Sequence, residues 1–328
     1  MENNQPNSPV VVIGFPRSGT TLLLHILISS GKFPEYDFSE THFFSHYYRR
    51  YGSLKNKKNK ETFISEIKKS EWFQNSSISI EEIIAHTQSD DDQYESYYKN
   101  FMALVARQNN KTRWVEKTPY HMLYIPELRK ALPDARFILM MRDPRDVTQS
   151  VLKYGWSGGL FGSIIKVAAA WNWHINHTRQ TLESLGIPYL TVKYEDLTTQ
   201  TESVLNDLNK FLDLDLDIQE LNKNGMGVLR RSNSSYTTQS ADEPKPIEEG
   251  AKNQGISTES IGRWRQSMPA DTILDVEYIT KNNCEHYGYE ITSAGKPTLI
   301  RRLQIKTLIF FYWLQKRIRS LLFPLVRR

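Results

Sequence analysis

Five consecutive residues, Arg17, Ser18, Gly19, Thr20 and Thr21, are of types that grip anionic groups. The apolar runs on either side say how. Before them stand Val10, Val11, Val12 and Ile13, a run that reads as a buried strand; after them Leu22, Leu23 and Leu24 open an apolar helix. Strand, tight loop and helix N-terminus together make a phosphate cradle, because the loop amides point inward and the helix dipole favours negative charge. The spacing from Gly14 to Gly19 is that of the nucleoside-triphosphate loop: glycine, four residues, glycine, lysine, then Ser or Thr. Here Thr20 stands where that lysine belongs and Thr21 keeps the hydroxyl. The positive charge has moved into the loop as Arg17, whose guanidinium can hold a phosphate in bidentate fashion. The loop is built for a phosphate, though not for the usual triphosphate. The alternative is an ordinary strand–helix turn carrying an incidental arginine.

Further polar residues fall where a doubly wound sheet presents its ligand crevice. Glu40, Thr41 and His42 lie just past the first strand–helix unit, at the rim of that crevice. Trp114 and Val115 suggest a short strand that ends in Lys117, and an ammonium there can offset charge building on a leaving oxygen. Residues 135–141 form a clear buried strand that delivers Arg142 at its C-terminal end. Pro144 suits the first turn of the following helix, and Ser150 lies about two turns in. The bland alternatives are a solvated Glu40, a packed His42, a surface Lys117, and an Arg142 paired with Asp143 or Asp146.

The stretch from Pro16 to Leu22 resembles the 5′-phosphosulfate loop of sulfotransferases that use 3′-phosphoadenosine 5′-phosphosulfate (PAPS), in the branch of tyrosylprotein and many bacterial sulfotransferases. The resemblance covers residues 10–45 and 112–200, and 250–268 loosely. It implies a single α/β domain with a P-loop-type central parallel sheet flanked by helices. It implies PAPS as sulfuryl donor and a hydroxyl-bearing acceptor. Glu40 before Thr41 matches the branch's general base; His42 is the rival, since cytosolic members use histidine. Lys117, followed two residues later by Pro119, matches the strand-end catalytic lysine. Arg142 and Ser150 match the 3′-phosphate site, an arginine at a strand end and a serine eight residues on. Tyr194, in a V-x-Y-E-D-L segment, would lie near the adenosine or 3′-phosphate. Lys252 is the nearest basic residue to a late phosphate contact, though two positions off in spacing. Arg17 and the amides of Ser18, Gly19, Thr20 and Thr21 would hold the sulfate and 5′-phosphate. A sulfuryl group carries less charge than a γ-phosphate, so the reading requires no metal. Its rivals are a P-loop kinase, for which Asp143 would hold magnesium, and an inactive nucleotide-binding scaffold at a membrane.

The rest of the chain frames this core. Residues 1–9 read as a disordered N-terminus, 10–295 as the catalytic domain and 296–328 as a basic amphipathic tail. Within the domain, 46–110 read as a helical insertion on the acceptor side, with helices near 60–70, 79–88 and 92–108. The Lys55 to Lys60 run reads as a solvated loop. Residues 120–132 read as one helix, and 222–258 as a long loop. The tail holds nine Lys/Arg and no Asp/Glu; without it the chain carries 33 basic and 37 acidic residues, so the formal net charge of +5 is a local property of that end. This argues against a general nucleic-acid surface and for an anionic membrane surface as the tail's partner, a helix packed on the body being the alternative. A single cysteine, Cys284, and a polar N-terminus without a visible signal peptide lead to the expectation of a cytoplasmic enzyme. His174 and His177 read as surface residues without a third metal-ligating partner.

Overall fold

Strand β1, Val10–Gly14, is buried at every residue, which fits its run of four β-branched residues before Gly14: a strand of a parallel sheet that is buried throughout has no polar side to alternate with. The computed structural model describes residues 8–35, 38, 40–87, 92–153, 163–223 and 258–322. Helix α1, Thr20–Ser29, follows β1 after a five-residue loop. Five helices come next: α2 Phe43–His46, α3 Lys57–Lys68, α4 Glu71–Gln74, α5 Ile80–His86 and α6 Tyr94–Gln108. Strand β2 Val115–Lys117, a 3-10 turn over Pro119–Leu123, helix α7 Ile125–Ala131, strand β3 Arg136–Met141, helix α8 Pro144–Lys153 and helix α9 Ile164–Ser184 continue the chain. Strand β4 Tyr189–Lys193 leads into α10 Tyr194–Thr199, α11 Thr201–Leu212 and α12 Ile218–Lys223; α13 Trp264–Ser267, α14 Ala270–Tyr287 and α15 Leu299–Leu322 complete it.

The four strands pair in parallel in the order β2-β1-β3-β4, with Val10 opposite both Val115 and Arg136 and Phe137 opposite Tyr189. The α/β fold with a central parallel sheet expected from the sequence is the one observed. The chain divides into two compact units. The first comprises residues 1–14, 19–141 and 180–258 and holds the whole sheet. Its core joins Val10, Val12, Ile138 and Met140 of the sheet to Leu23 and Leu27 of α1 and to Leu205, Leu208 and Leu212 of α11. A second, aromatic cluster holds the helices of 43–108 together: Phe63 lies edge-on to Tyr94, Tyr97 and Phe43, and Trp72 to Phe101 at 4.6 Å. Tyr94, Tyr97 and Tyr98 belong to the core of this segment.

The second unit comprises residues 15–18, 142–179 and 259–328. Polar and aromatic ties join its helices. Asn283 of α14 donates to the carbonyl and side chain of Asn172 on α9, Arg301 of α15 donates to Asp275 of α14, and Trp173 of α9 meets Trp313 of α15 at 4.9 Å. Asp146 of α8 accepts from the backbone N–H of Gly262 and Trp264, fixing the entry to α13.

Three expectations are corrected. The Lys55 to Lys60 run is helical from Lys57, because Asn56 accepts from Asn59 N and caps α3 while lysine itself favours helix. Residues 120–132 are not one helix: the chain breaks at Tyr124, just before Pro126 in the first turn of α7. After β4 the chain forms two helices, α10 and α11, separated at Gln200. His174 is not on the surface. It is buried, its Nδ1 2.6 Å from the Ala170 carbonyl and its ring edge-on to Phe15. His177 instead stacks on Trp173 at 4.9 Å.

Candidate active site

In the first unit the catalytic candidates meet as a buried ion pair. β2 is short and buried, and ends on Lys117, whose Nζ donates to Glu40 Oε1 at 2.8 Å. Glu40 Oε2 stands 3.1 Å from His42 Nε2. Lys117 and Glu40 are almost withdrawn from solvent, at 2 % and 9 % side-chain exposure. Burial pushes the Glu40 carboxyl up, but Lys117 and His42 outweigh it and hold the group at about 2. His25 of α1 is pushed down to about 4 by burial and by the Lys117 charge, so near neutrality it is uncharged.

Thr41 and three residues that sequence reasoning missed, Tyr98, Glu116 and His121, form a buried network beside Glu40. Thr41 is stitched to β2 and the residue after it: its N–H donates to Thr118 Oγ1 at 3.2 Å and its hydroxyl to Glu116 Oε2 at 3.4 Å. Glu116 is a fully buried carboxylate that also accepts from Tyr98 OH at 2.8 Å, and His121 Nδ1 lies 3.0 Å from its other oxygen. Phe44 N donates to His121 Nε2 at 3.3 Å, which fixes the ring beside Glu116. Burial raises the Glu116 carboxyl, yet His121, Thr118 and Tyr98 together bring it below the ordinary carboxylate range. The available signal was two opposite charges side by side, Glu116 and Lys117, in a strand with no room for solvent.

The same unit holds the helical half of the phosphate loop. Gly19 is the N-cap of α1 at φ 91°, with no side-chain cap and no acid in the first turn, an end suited to an anion. The Tyr194 ring packs against it: a Cβ on Gly19 would lie 2.5 Å from Tyr194 Cδ2. Gly19→Ala is therefore expected to cost about 2 kcal/mol or more, from left-handed strain plus the clash, read as a lowered midpoint in urea unfolding. Thr20 is buried and Thr21 partly so.

In the second unit the anion-gripping candidates converge. Arg17 sits at φ 72°, a left-handed conformation costly for a side chain of its size. Its Nε donates to Ser150 Oγ at 3.1 Å. Arg142 donates from Nη1 to the Arg17 carbonyl at 3.0 Å and from Nη2 to the Ser260 carbonyl at 2.5 Å. Ser18 is buried, and among the described residues its hydroxyl has no hydrogen-bond partner, an orphaned donor that a phosphate oxygen would satisfy. The Arg142 guanidinium thus turns to backbone carbonyls of the loop and of Ser260. Asp143 accepts from Arg145, at 2.9 Å from Nε and 2.7 Å from Nη2, which commits the aspartate that a kinase would need for magnesium. Lys252 lies outside the described residues. Among the described residues no group of three or more His, Cys, Asp or Glu is placed to hold a metal ion.

A family model described as "Sulfotransferase family" matches residues 9–218. Protein-tyrosine sulfotransferase A of Caenorhabditis elegans is 24 % identical over 201 residues, 59 % of this chain and 50 % of that protein, so the chain spans about half the length of this curated relative. Among solved structures, the sulfotransferase domain of the Synechococcus PCC 7002 olefin synthase superposes with a TM-score of 0.54 at 18 % identity, covering 89 % of this chain and 98 % of that domain. The sulfotransferase domain from the curacin biosynthetic pathway gives 0.52 at 17 % identity, over 87 % and 99 %. At such identity these two likenesses speak for the fold.

Proposed function

This chain belongs to the sulfotransferase family, and from that membership we propose that it transfers a sulfuryl group in line from PAPS to an acceptor hydroxyl. PAPS, when bound, supplies the sulfuryl group together with a leaving oxygen that gathers negative charge. The chain's own residues do the rest. Glu40 takes the acceptor proton. Lys117 places its ammonium toward the leaving oxygen, where charge builds in the transition state. Arg17 and the N–H groups of Ser18, Gly19, Thr20 and Thr21 bind the sulfate and 5′-phosphate; Arg142 and Ser150 bind the 3′-phosphate. Tyr194, packed on Gly19, gives the adenosine a wall. Positioning and fixed charge carry the rate, as in phosphoryl transfer. The helices of 43–108 would shape the acceptor side.

The observation that supports the donor assignment is the placement of Arg142, at the end of β3, and Ser150, in α8, about one loop residue: Arg142 donates to the Arg17 carbonyl, and the Arg17 guanidinium donates to Ser150 Oγ. A free 3′-phosphate is what separates PAPS from ATP, and such a cluster suits a dianion. Calorimetric titration tests it. Adenosine 3′,5′-bisphosphate should bind whether or not EDTA is present, with ADP plus magnesium much weaker. Arg142→Ala should weaken bisphosphate binding by about 10- to 100-fold, the loss of one charge-assisted contact. Wild-type affinity in that variant would refute the 3′-phosphate assignment, and a preference for ADP with magnesium would overturn the donor.

A further inference from the structure

We propose that α15 lies along an anionic lipid surface, with its outward face in the interface and its inward face seated on the second unit. The inward face is accounted for. Ile305 and Tyr312 are buried, Arg301 bonds Asp275, and Trp313 meets Trp173. The outward face is not. Leu299, Leu303 and Phe310 are 74 %, 66 % and 62 % exposed, and Ile300 and Phe311 beside them 72 % and 58 %. At 3.6 residues per turn Leu299, Leu303, Phe310 and Leu314 fall within about 60° of one another, with Ile300 and Phe311 in the adjoining column. That is a continuous apolar stripe on a helix already packed on its other side, the kind of exposed patch that marks an interaction surface.

Charge decides what covers it. Residues 296–328 carry nine Lys/Arg and no Asp/Glu. Pairing the stripe with the same stripe of a second copy would bring together two segments that each carry an excess of cations and no carboxylate, a juxtaposition that costs affinity. An anionic lipid surface takes the cations and the apolar stripe together. Beneath the helix a cavity of about 690 Å³ adds to this. Its lining mixes apolar Leu274, Ile305 and Ile309 with Lys281, Lys296 and Lys306, and its one carboxylate, Glu277, is already paired with Arg145, a combination suited to an amphiphile with an acidic head. Among the described residues no helix is long and apolar enough to cross a membrane, so α15 lies on the surface rather than spanning it.

The test is flotation of the full chain with phosphatidylcholine vesicles, with and without phosphatidylglycerol, beside sedimentation analysis without lipid. Wild type should float with the anionic vesicles at least about tenfold more than with neutral ones and lose that binding at high salt. The double variant Phe310→Glu and Phe311→Glu, at exposed positions, should lose about tenfold or more of the anionic binding while keeping the wild-type melting temperature. Lys306→Glu, also exposed, should weaken it in the same direction. Equal binding to both vesicle types, or no binding, would overturn the proposal. So would a concentration-dependent dimer that the double variant abolishes while vesicle binding stays absent. Since none of these readouts uses PAPS, the proposal stands or falls separately from the sulfuryl-transfer reading.

Discussion

Glu40→Gln should lower turnover by about 10²- to 10⁴-fold, while adenosine 3′,5′-bisphosphate binds within about threefold of wild type. Glutamine fills nearly the same volume and can still accept from Lys117, so the substitution removes the proton acceptor and little else. The resting geometry adds a condition. Held at about 2 by Lys117 and His42, the carboxylate is a weak base for an alcohol proton. In the proposed reaction Lys117 serves the leaving oxygen, and Glu40 then gives up its strongest partner while burial, which drives its pKa up, remains. The acid and base roles of the pair are therefore coupled. Lys117→Met should move Glu40 upward from about 2, with His42 left as its one opposing partner, measurable as a carboxylate titration by infrared or carbon NMR. The sign for stability follows. A carboxyl depressed in the folded state lends stability that is fully present above pH 4.5 and is lost as pH falls toward 2. In Lys117→Met that acid-side loss should shrink. Wild-type turnover in Glu40→Gln would remove Glu40 as the base and turn attention to His42.

What the sequence disclosed and what it hid divide along one physical line. β1, the glycine loop and α1 were legible because strand, turn and helix signals are local, each set by neighbours within a few residues. The same holds for β3 and the Arg142 to Ser150 spacing, where the register of one strand and two turns of one helix fix the outcome. Hidden were the interactions that join distant parts of the chain. Nothing in the spacing around Glu116 announces that Thr41, Tyr98 and His121 converge on it, since those partners come from a loop, an insertion helix and a 3-10 turn. The aromatic core of 43–108 was invisible for a related reason. Tyrosine reads as polar on hydropathy, yet Tyr97 and Tyr98 are among the most buried residues of the chain. Arg145 belongs to this hidden class too: in the sequence it is one more basic residue in a charged turn, Arg142-Asp143-Pro144-Arg145-Asp146, with no mark of its burial.

Arg145→Met should destabilise the protein by about 3–5 kcal/mol, the scale for removing one member of a buried ion network. For a chain of this size that is a fall in melting temperature on the order of 10 °C. The guanidinium is 2 % exposed and meets two carboxylates, Asp143 at the start of α8 and Glu277 in α14. It also lies over the Trp264 ring at 3.9 Å. Asp143 Oδ1 has a second duty, accepting from Arg145 N at 2.9 Å in the first turn of α8. Glu277 keeps partners when the arginine goes, accepting from Thr292 N and hydroxyl at 3.0 and 2.9 Å and from Ser293 N at 2.8 Å. Those hydrogen bonds do not neutralise it, so the cost of the single substitution falls mainly on two buried negative charges left with no guanidinium between them. The triple variant Arg145→Met, Asp143→Asn, Glu277→Gln removes all three charges, and the asparagine amide oxygen can still accept at the start of α8. It should recover most of the lost stability, because a neutral buried set of similar volume carries no desolvation penalty for ions. Thermal unfolding of wild type, single and triple variants separates the cases. If the triple variant unfolds as early as Arg145→Met, the network's charge is not the source of the loss. The lost packing of the guanidinium on Trp264 would then account for it.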